Sequence, residues 1–186
     1  MKKMRWSWLI ALWVLGLLAI GSADCEPGED FGLIDGVVGP IFTPLEVVAD
    51  EDIDGGALES ACAAWNEGAV IGPFRCSVDQ ERFDELDVTP DWTDRIGTVL
   101  VWASYLEDPA LGETGRYMNG LGEIDWADIV ISSDILYDLP TEEAALTHEL
   151  GHALGLAHDD GPSWSCMVTP LVVPCDPTPH DLELVQ

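Results

Sequence analysis

Apolar and polar positions along this chain follow two periods, and the changes between them mark its elements. Pro44 to Ala49 and Thr98 to Ala103 are short apolar runs rich in valine, the pattern of buried strands. Phe74 to Val78 and Leu111 to Met118 carry weaker strand patterns. Glu123 to Ser132 is longer, and the turn Asn119-Gly120-Leu121-Gly122 before it predicts a hairpin with Leu111 to Met118. In Ala57 to Gly68, Leu58, Ala61, Cys62 and Trp65 recur at helical spacing, which predicts a helix with that stripe against a sheet. Residues 79 to 95 are acidic, contain Pro90 and read as a connecting loop. A second helix is expected from Pro140 to about Leu154, with Thr141 as N-cap and Glu142 and Glu143 in the first turn. Thr178 is an N-cap for a short final helix.

The N-terminus interrupts this pattern. Lys2, Lys3 and Arg5 precede an apolar run from Trp6 to Ile20, and Gly21-Ser22-Ala23 follows. That is the layout of an export signal over residues 1–23. The apolar run is too short to span a membrane comfortably. Residues 24–43 then read as an extended leader, and residues 44–186 as one domain. Export to the outside of the cell is the expectation. The alternative is a lipid anchor on Cys25, although Asp24 before it fits that signal poorly.

Charge narrows the partners. All 35 acidic residues lie beyond residue 23, with four arginines and no lysine, so four positive charges against 35 negative ones leave −31. Such a surface excludes nucleic acid and anionic membrane as natural partners. The stretch Asp50-Glu51-Asp52-Ile53-Asp54-Gly55-Gly56 opens like an EF-hand loop, but Ala61 stands where that loop needs a glutamate. An acidic loop at a helix N-terminus is the simpler reading, and a looser Ca2+ site is the alternative. Of five cysteines, Cys62–Cys76 and Cys166–Cys175 are the preferred pairs on loop length, which leaves Cys25 over.

The chemistry concentrates in His148-Glu149-Leu150-Gly151-His152, followed by Gly155 and His158. Histidines four apart share one helix face and can hold one metal ion. Glu149 sits where its carboxylate reaches a water on that ion. Gly155 lets the chain turn, so His158 can return as a third ligand. Three nitrogens plus an open position is the coordination of a catalytic zinc. The chain has four histidines, and His180 alone lies outside the motif, where it reads as a surface residue.

These residues resemble the zinc motif of the matrixin branch of metzincin metallopeptidases, particularly secreted bacterial members. Ser165-Cys166-Met167-Val168-Thr169-Pro170 is similar to that family's Met-turn and the wall of its specificity pocket, and Ala127 to Ile131 to the strand before its active-site helix. The resemblance implies an α+β fold: a twisted, mostly parallel five-stranded sheet with one antiparallel edge strand, three helices and a zinc cleft. It implies Zn2+ on His148, His152 and His158, Glu149 as general base, and Met167 as a floor beneath the metal. It also implies a polypeptide substrate, extended along an edge strand at Leu111, Gly112, Glu113 and Thr114, with Val168, Thr169 and Pro170 beside its pocket. The expected activity is that of a secreted, monomeric zinc metalloendopeptidase. A proteolytically inactive zinc-binding module and an amidohydrolase of non-peptide bonds are the alternatives.

Overall fold

A computed structural model describes residues 39–40, 44–67, 69, 72–89, 91–107, 109–158, 165–171 and 173–185 of the chain. The export segment at 1–23, Cys25 and most of the 24–43 leader lie outside the described residues. Six strands form one sheet: β1 (Gly39–Pro40), β2 (Leu45–Ala49), β3 (Phe74–Val78), β4 (Thr98–Ser104), β5 (Gly112–Met118) and β6 (Glu123–Ser132). Four longer strands run β6-β4-β2-β3, all parallel, and β5 is antiparallel on β6. This is the expected mostly parallel sheet with its antiparallel strand at the edge. The sixth strand is a two-residue piece of the leader paired with the first residues of β6.

Alternation along the strands divides the sheet into two faces. On one face, Val47 and Ala49, Val99 and Val101, and Ala127, Ile129 and Ile131 join one core with α1 (Gly55–Glu67) and α3 (Leu139–Ala153). Trp65 of α1 is fully buried there, and its indole N–H donates to the Thr147 carbonyl of α3 at 2.8 Å. A buried indole needs that acceptor. On the other face, Val48 and Leu100 meet Phe83 and Leu86 of α2 (Gln80–Val88) in a smaller cluster.

Helix α2 corrects the reading of residues 79–95 as a loop. Its apolar stripe is only Phe83 and Leu86, so acidic neighbours dilute its periodicity, but Asp79 caps it by accepting from Arg82 N. Trp92–Arg95 adds a short 3-10 turn. The Arg95 guanidinium closes the far end of α2 by donating to the Leu86 and Asp87 carbonyls at 2.7 and 2.6 Å.

The start of α3 also differs from expectation. Asp138, not Thr141, holds the N-cap position, and the Thr141 hydroxyl lies inside the helix, bonded to the Asp138 carboxylate at 2.8 Å. Pro140 is the second helical residue, a place where no backbone N–H partner is lost. In the acidic loop, Asp50 accepts from Asp52 N and Asp54 caps α1 by accepting from Ala57 N. These carboxylates serve backbone N–H groups at a helix start, in line with the simpler reading. At the C-terminus, Thr178 caps α4 (Pro179–Leu184) in a reciprocal box with Asp181.

Both preferred cysteine pairs form: Cys62–Cys76 ties α1 to β3, and Cys166–Cys175 closes the segment after α3. Two disulfides fit an extracellular protein. Among the described residues, no helix is long and apolar enough to cross a membrane.

Candidate metal centre

Helix α3 is buried along most of its length and on nearly all sides, from Ala144 to Gly151 without a break. A helix so enclosed is held by packing rather than propensity, and its polar side chains are held with it. His148 and His152 project together from consecutive turns. The chain leaves α3 through Gly155, whose φ of 97° is left-handed and open to glycine at no steric cost. His158 then comes back to the other two.

The three Nε2 atoms form a near-equilateral triangle with sides of 3.1, 3.1 and 3.0 Å. A tetrahedral zinc with bonds of about 2.0–2.1 Å needs nitrogens roughly 3.3 Å apart, so the triangle already has nearly the required size. The remaining ring nitrogens of the two helical histidines are occupied. His148 Nδ1 donates to the Cys166 carbonyl at 2.6 Å, and His152 Nδ1 donates to the Leu156 carbonyl at 2.8 Å. A carbonyl only accepts, so each Nδ1 carries the proton and each Nε2 turns its lone pair inward. Burial pushes both pKa values below the ordinary histidine range, and the neighbouring histidines push His152 further. Both shifts favour the neutral ring, the form that binds a metal. The donor set fits a cation of zinc type.

Glu149 lies between α3 and the edge strand. It is buried, and its pKa is pushed up to about 7 by burial, against the opposing pull of the Thr114 hydroxyl and the Arg116 charge. The Thr114 hydroxyl donates to Glu149 Oε2 at 2.6 Å. At Gly112 the backbone itself meets the side chain: an added Cβ would stand 2.7 Å from Glu149 Cγ and 2.8 Å from Oε1. Alternate residues of β5 thus face α3, and the third of them, Arg116, directs its guanidinium at the His152 carbonyl, 3.4 Å away.

Met167 is wholly buried under the helix. Gly151 makes room for it, since a Cβ there would collide with Met167 Sδ and lie 2.7 Å from Trp65 Cζ2. The turn is held from below: Met167 N donates to Ser165 Oγ at 3.1 Å, and Ser165 Oγ lies 3.3 Å from both carboxylate oxygens of the fully buried Asp181.

The sequence-derived site residues thus separate into groups. His148, His152, His158, Glu149, Gly112 and Thr114 come together, with Met167 beneath. Leu111 packs against the core, Glu113 is exposed, Val168 is buried, and Thr169 and Pro170 are exposed. His180 is exposed on α4. Sequence reasoning missed Gly151, Arg116 and Asp181. A glycine inside an otherwise sound helix was the available signal for Gly151, and an aspartate three residues after a threonine cap was the signal for Asp181.

No protein-family model matches the chain, and no curated protein matches it. Among solved structures, it is similar to high choriolytic enzyme 1, a hatching-enzyme zinc protease from the medaka fish Oryzias latipes. The identity is 17% and the TM-score 0.31, over 74% of this chain and 55% of that one. This chain therefore matches about half the length of that enzyme. A likeness that low carries no argument about activity.

Proposed function

We propose that this chain is an exported zinc-dependent metalloendopeptidase. The observation that carries this reading is the triangle of inward-turned Nε2 atoms with the buried carboxylate of Glu149 next to it on the same helix. His148, His152 and His158 hold the metal. A zinc ion in that place supplies Lewis acidity towards a carbonyl and lowers the pKa of water to about 7.

The chain's own groups do the rest. Glu149 takes the proton of the attacking water on its carboxylate and returns it to the leaving amine. Its elevated pKa suits both steps, because the ideal base and acid titrate near the working pH. Thr114 fixes the carboxylate from the strand side. Among the described residues no strand pairs with the outer edge of β5, so an extended peptide can add there through main-chain hydrogen bonds. Val168, Thr169 and Pro170, which follow Met167, border the pocket for one substrate side chain. Residues 1–23 direct export. Full matrixin membership and a monomeric state belong to the same proposal.

The test is digestion of casein by purified, oxidised protein loaded with zinc. Cleavage is expected, lost with a chelator and restored by zinc. Glu149→Ala is expected to keep its zinc and lose about 10²–10⁴-fold in rate. A protein that takes up zinc but leaves casein and gelatin intact would overturn the endopeptidase reading, and one that takes up no zinc would overturn the metal site as well.

A further inference from the structure

We infer that the Cys166–Cys175 disulfide is a positioning element for the metal ligand His148, so that the affinity of the centre for zinc depends on this crosslink. The inference rests on the reading of His148 as a ligand. It starts from the chain of contacts behind the imidazole. The acceptor of the His148 Nδ1 proton is the backbone carbonyl of Cys166, the crosslinked residue itself. The partner of His148 Nδ1 lies outside α3. The orientation of the ring, and the tautomer that leaves Nε2 free for a metal, are set by a carbonyl that belongs to a different segment.

That segment has little regular structure to hold it. Residues 165–171 and 173–178 contain neither helix nor strand. It is fixed to the rest of the protein at several points, among them Met167, buried beneath α3. Ser165 is bonded to Asp181 of α4, which secures the N-terminal side of the carbonyl. The disulfide secures the residue itself. Cys166 and Cys175 are both buried and pack on Ala144 of α3, with Leu171 beside them. Ala144 and His148 are four residues apart, so the crosslink sits against the same helix face one turn before the ligand it serves. The disulfide thus braces the carbonyl-bearing residue within its own segment, where it packs on the helix that carries the imidazole.

The second crosslink is a natural control. Cys62–Cys76 joins α1 to β3, whereas Cys166–Cys175 joins two points of one irregular segment, and the loops they close are of similar size, with a sequence separation of 14 against 9. Chain-entropy stabilisation by the two should be comparable. No described hydrogen bond links Cys62 or Cys76 to a histidine of the centre. Loss of either pair should lower the unfolding temperature, but only loss of Cys166–Cys175 should reach the metal.

The experiment compares Cys166→Ala/Cys175→Ala with Cys62→Ala/Cys76→Ala in the full chain. Alanine leaves no thiol to bind zinc on its own account. Zinc affinity is measured by competition with a chromophoric chelator, and folding is monitored by near-UV circular dichroism. The first variant is expected to bind zinc about 10- to 100-fold more weakly than the wild type, the usual effect of losing a partner that orients a ligand. The second is expected to stay within about threefold of the wild type, with its melting temperature lowered. Cys166→Val/Cys175→Ala, which refills the niche beneath Ala144, is measured alongside in case the first variant does not fold. Unchanged zinc affinity in a folded Cys166/Cys175 variant overturns the inference while leaving the metal site standing. Equal weakening in both double variants also overturns it, because general loosening then accounts for the effect. A wild-type protein that binds no zinc removes the inference together with the metal site.

Discussion

The two faces of the sheet are made by alternate residues of the same strands, yet they bury polar groups in different ways. On the α1/α3 face, β6 contributes Ala127, Ile129 and Ile131, and α3 has partners at His148 Nδ1, His152 Nδ1 and the Glu149 carboxylate, although Glu142 Oε2 near its start is buried without a hydrogen-bond partner. On the α2 face, the same strand contributes Trp126 and Asp128. Tyr117 of β5 stacks on Trp126 with ring centroids 3.5 Å apart, and Arg95 lies over that indole at 4.9 Å. Tyr117 bonds to the Asp128 carboxylate, but Asp128 Oδ1 is buried without a hydrogen-bond partner. Each face thus holds one incompletely partnered carboxylate, but only the α1/α3 face also holds a histidine cluster whose ring orientation is set by backbone carbonyls. The difference identifies the α1/α3 face as the one where small changes in position matter.

That contrast can be broken at its strongest point first. Trp65→Ala removes the indole that joins α1 to α3 and packs beside Gly151 and Met167. A loss of about 3–5 kcal/mol in stability is expected from the cavity alone, read by urea denaturation. A cost below about 1 kcal/mol would mean that the α1/α3 core relaxes freely. Next, Thr114→Val keeps the shape of the side chain and removes the donor to Glu149. A hydrogen bond to a charged group contributes about 1.5–3 kcal/mol, so peptide cleavage should fall roughly 10- to 150-fold, chiefly in kcat. Thr114→Ser should restore most of it. Unimpaired cleavage by the valine variant would separate Thr114 from the base.

The α2 face should respond with the opposite sign. Burial raises the Asp128 pKa from 3.8 to about 6, with Arg95 and Tyr117 opposing the shift. The folded state therefore holds this proton more tightly than the unfolded chain. The contribution of this group favours folding below about pH 4 and is lost as pH rises through 6. Asp128→Asn keeps the acceptor for Tyr117 and removes the charge. It should stabilise the protein at pH 7 by about 3 kcal/mol and far less at pH 4. Denaturation midpoints at the two pH values measure this, and equal shifts at both would dissociate the gain from ionisation.

The parts legible in the sequence were those where one residue type has one physical use. Strand boundaries followed from apolar runs: Phe74–Val78 and Glu123–Ser132 match to the residue. The clustering of the histidines was legible because spacing along a helix places His148 beside His152, and the glycine at 155 lets the chain bring His158 back to them. Helix α2 was obscured because two apolar residues among acids cannot outweigh a charge-rich surround, and burial supplied by Val48 and Leu100 is a tertiary fact. The α3 cap was misplaced because Pro140 is accommodated at the second helical position, which carries the boundary upstream from Thr141 to Asp138. The positioning contacts were invisible for another reason. Thr114 and Glu149 stand 35 residues apart, and the acceptor for His148 is a backbone carbonyl, which has no residue-type signature.

Gly112 has a consequence beyond this one molecule. Its missing Cβ and the full length of the Glu149 side chain occupy the same volume in turn, so the two positions are not independent characters. A lineage that keeps a glutamate at 149 leaves selection almost no freedom at 112, whereas one that shortens or discards that carboxylate releases the constraint on the strand. In terms of the function proposed above, Gly112→Ala should therefore be tolerated only together with a shortened or displaced side chain at 149.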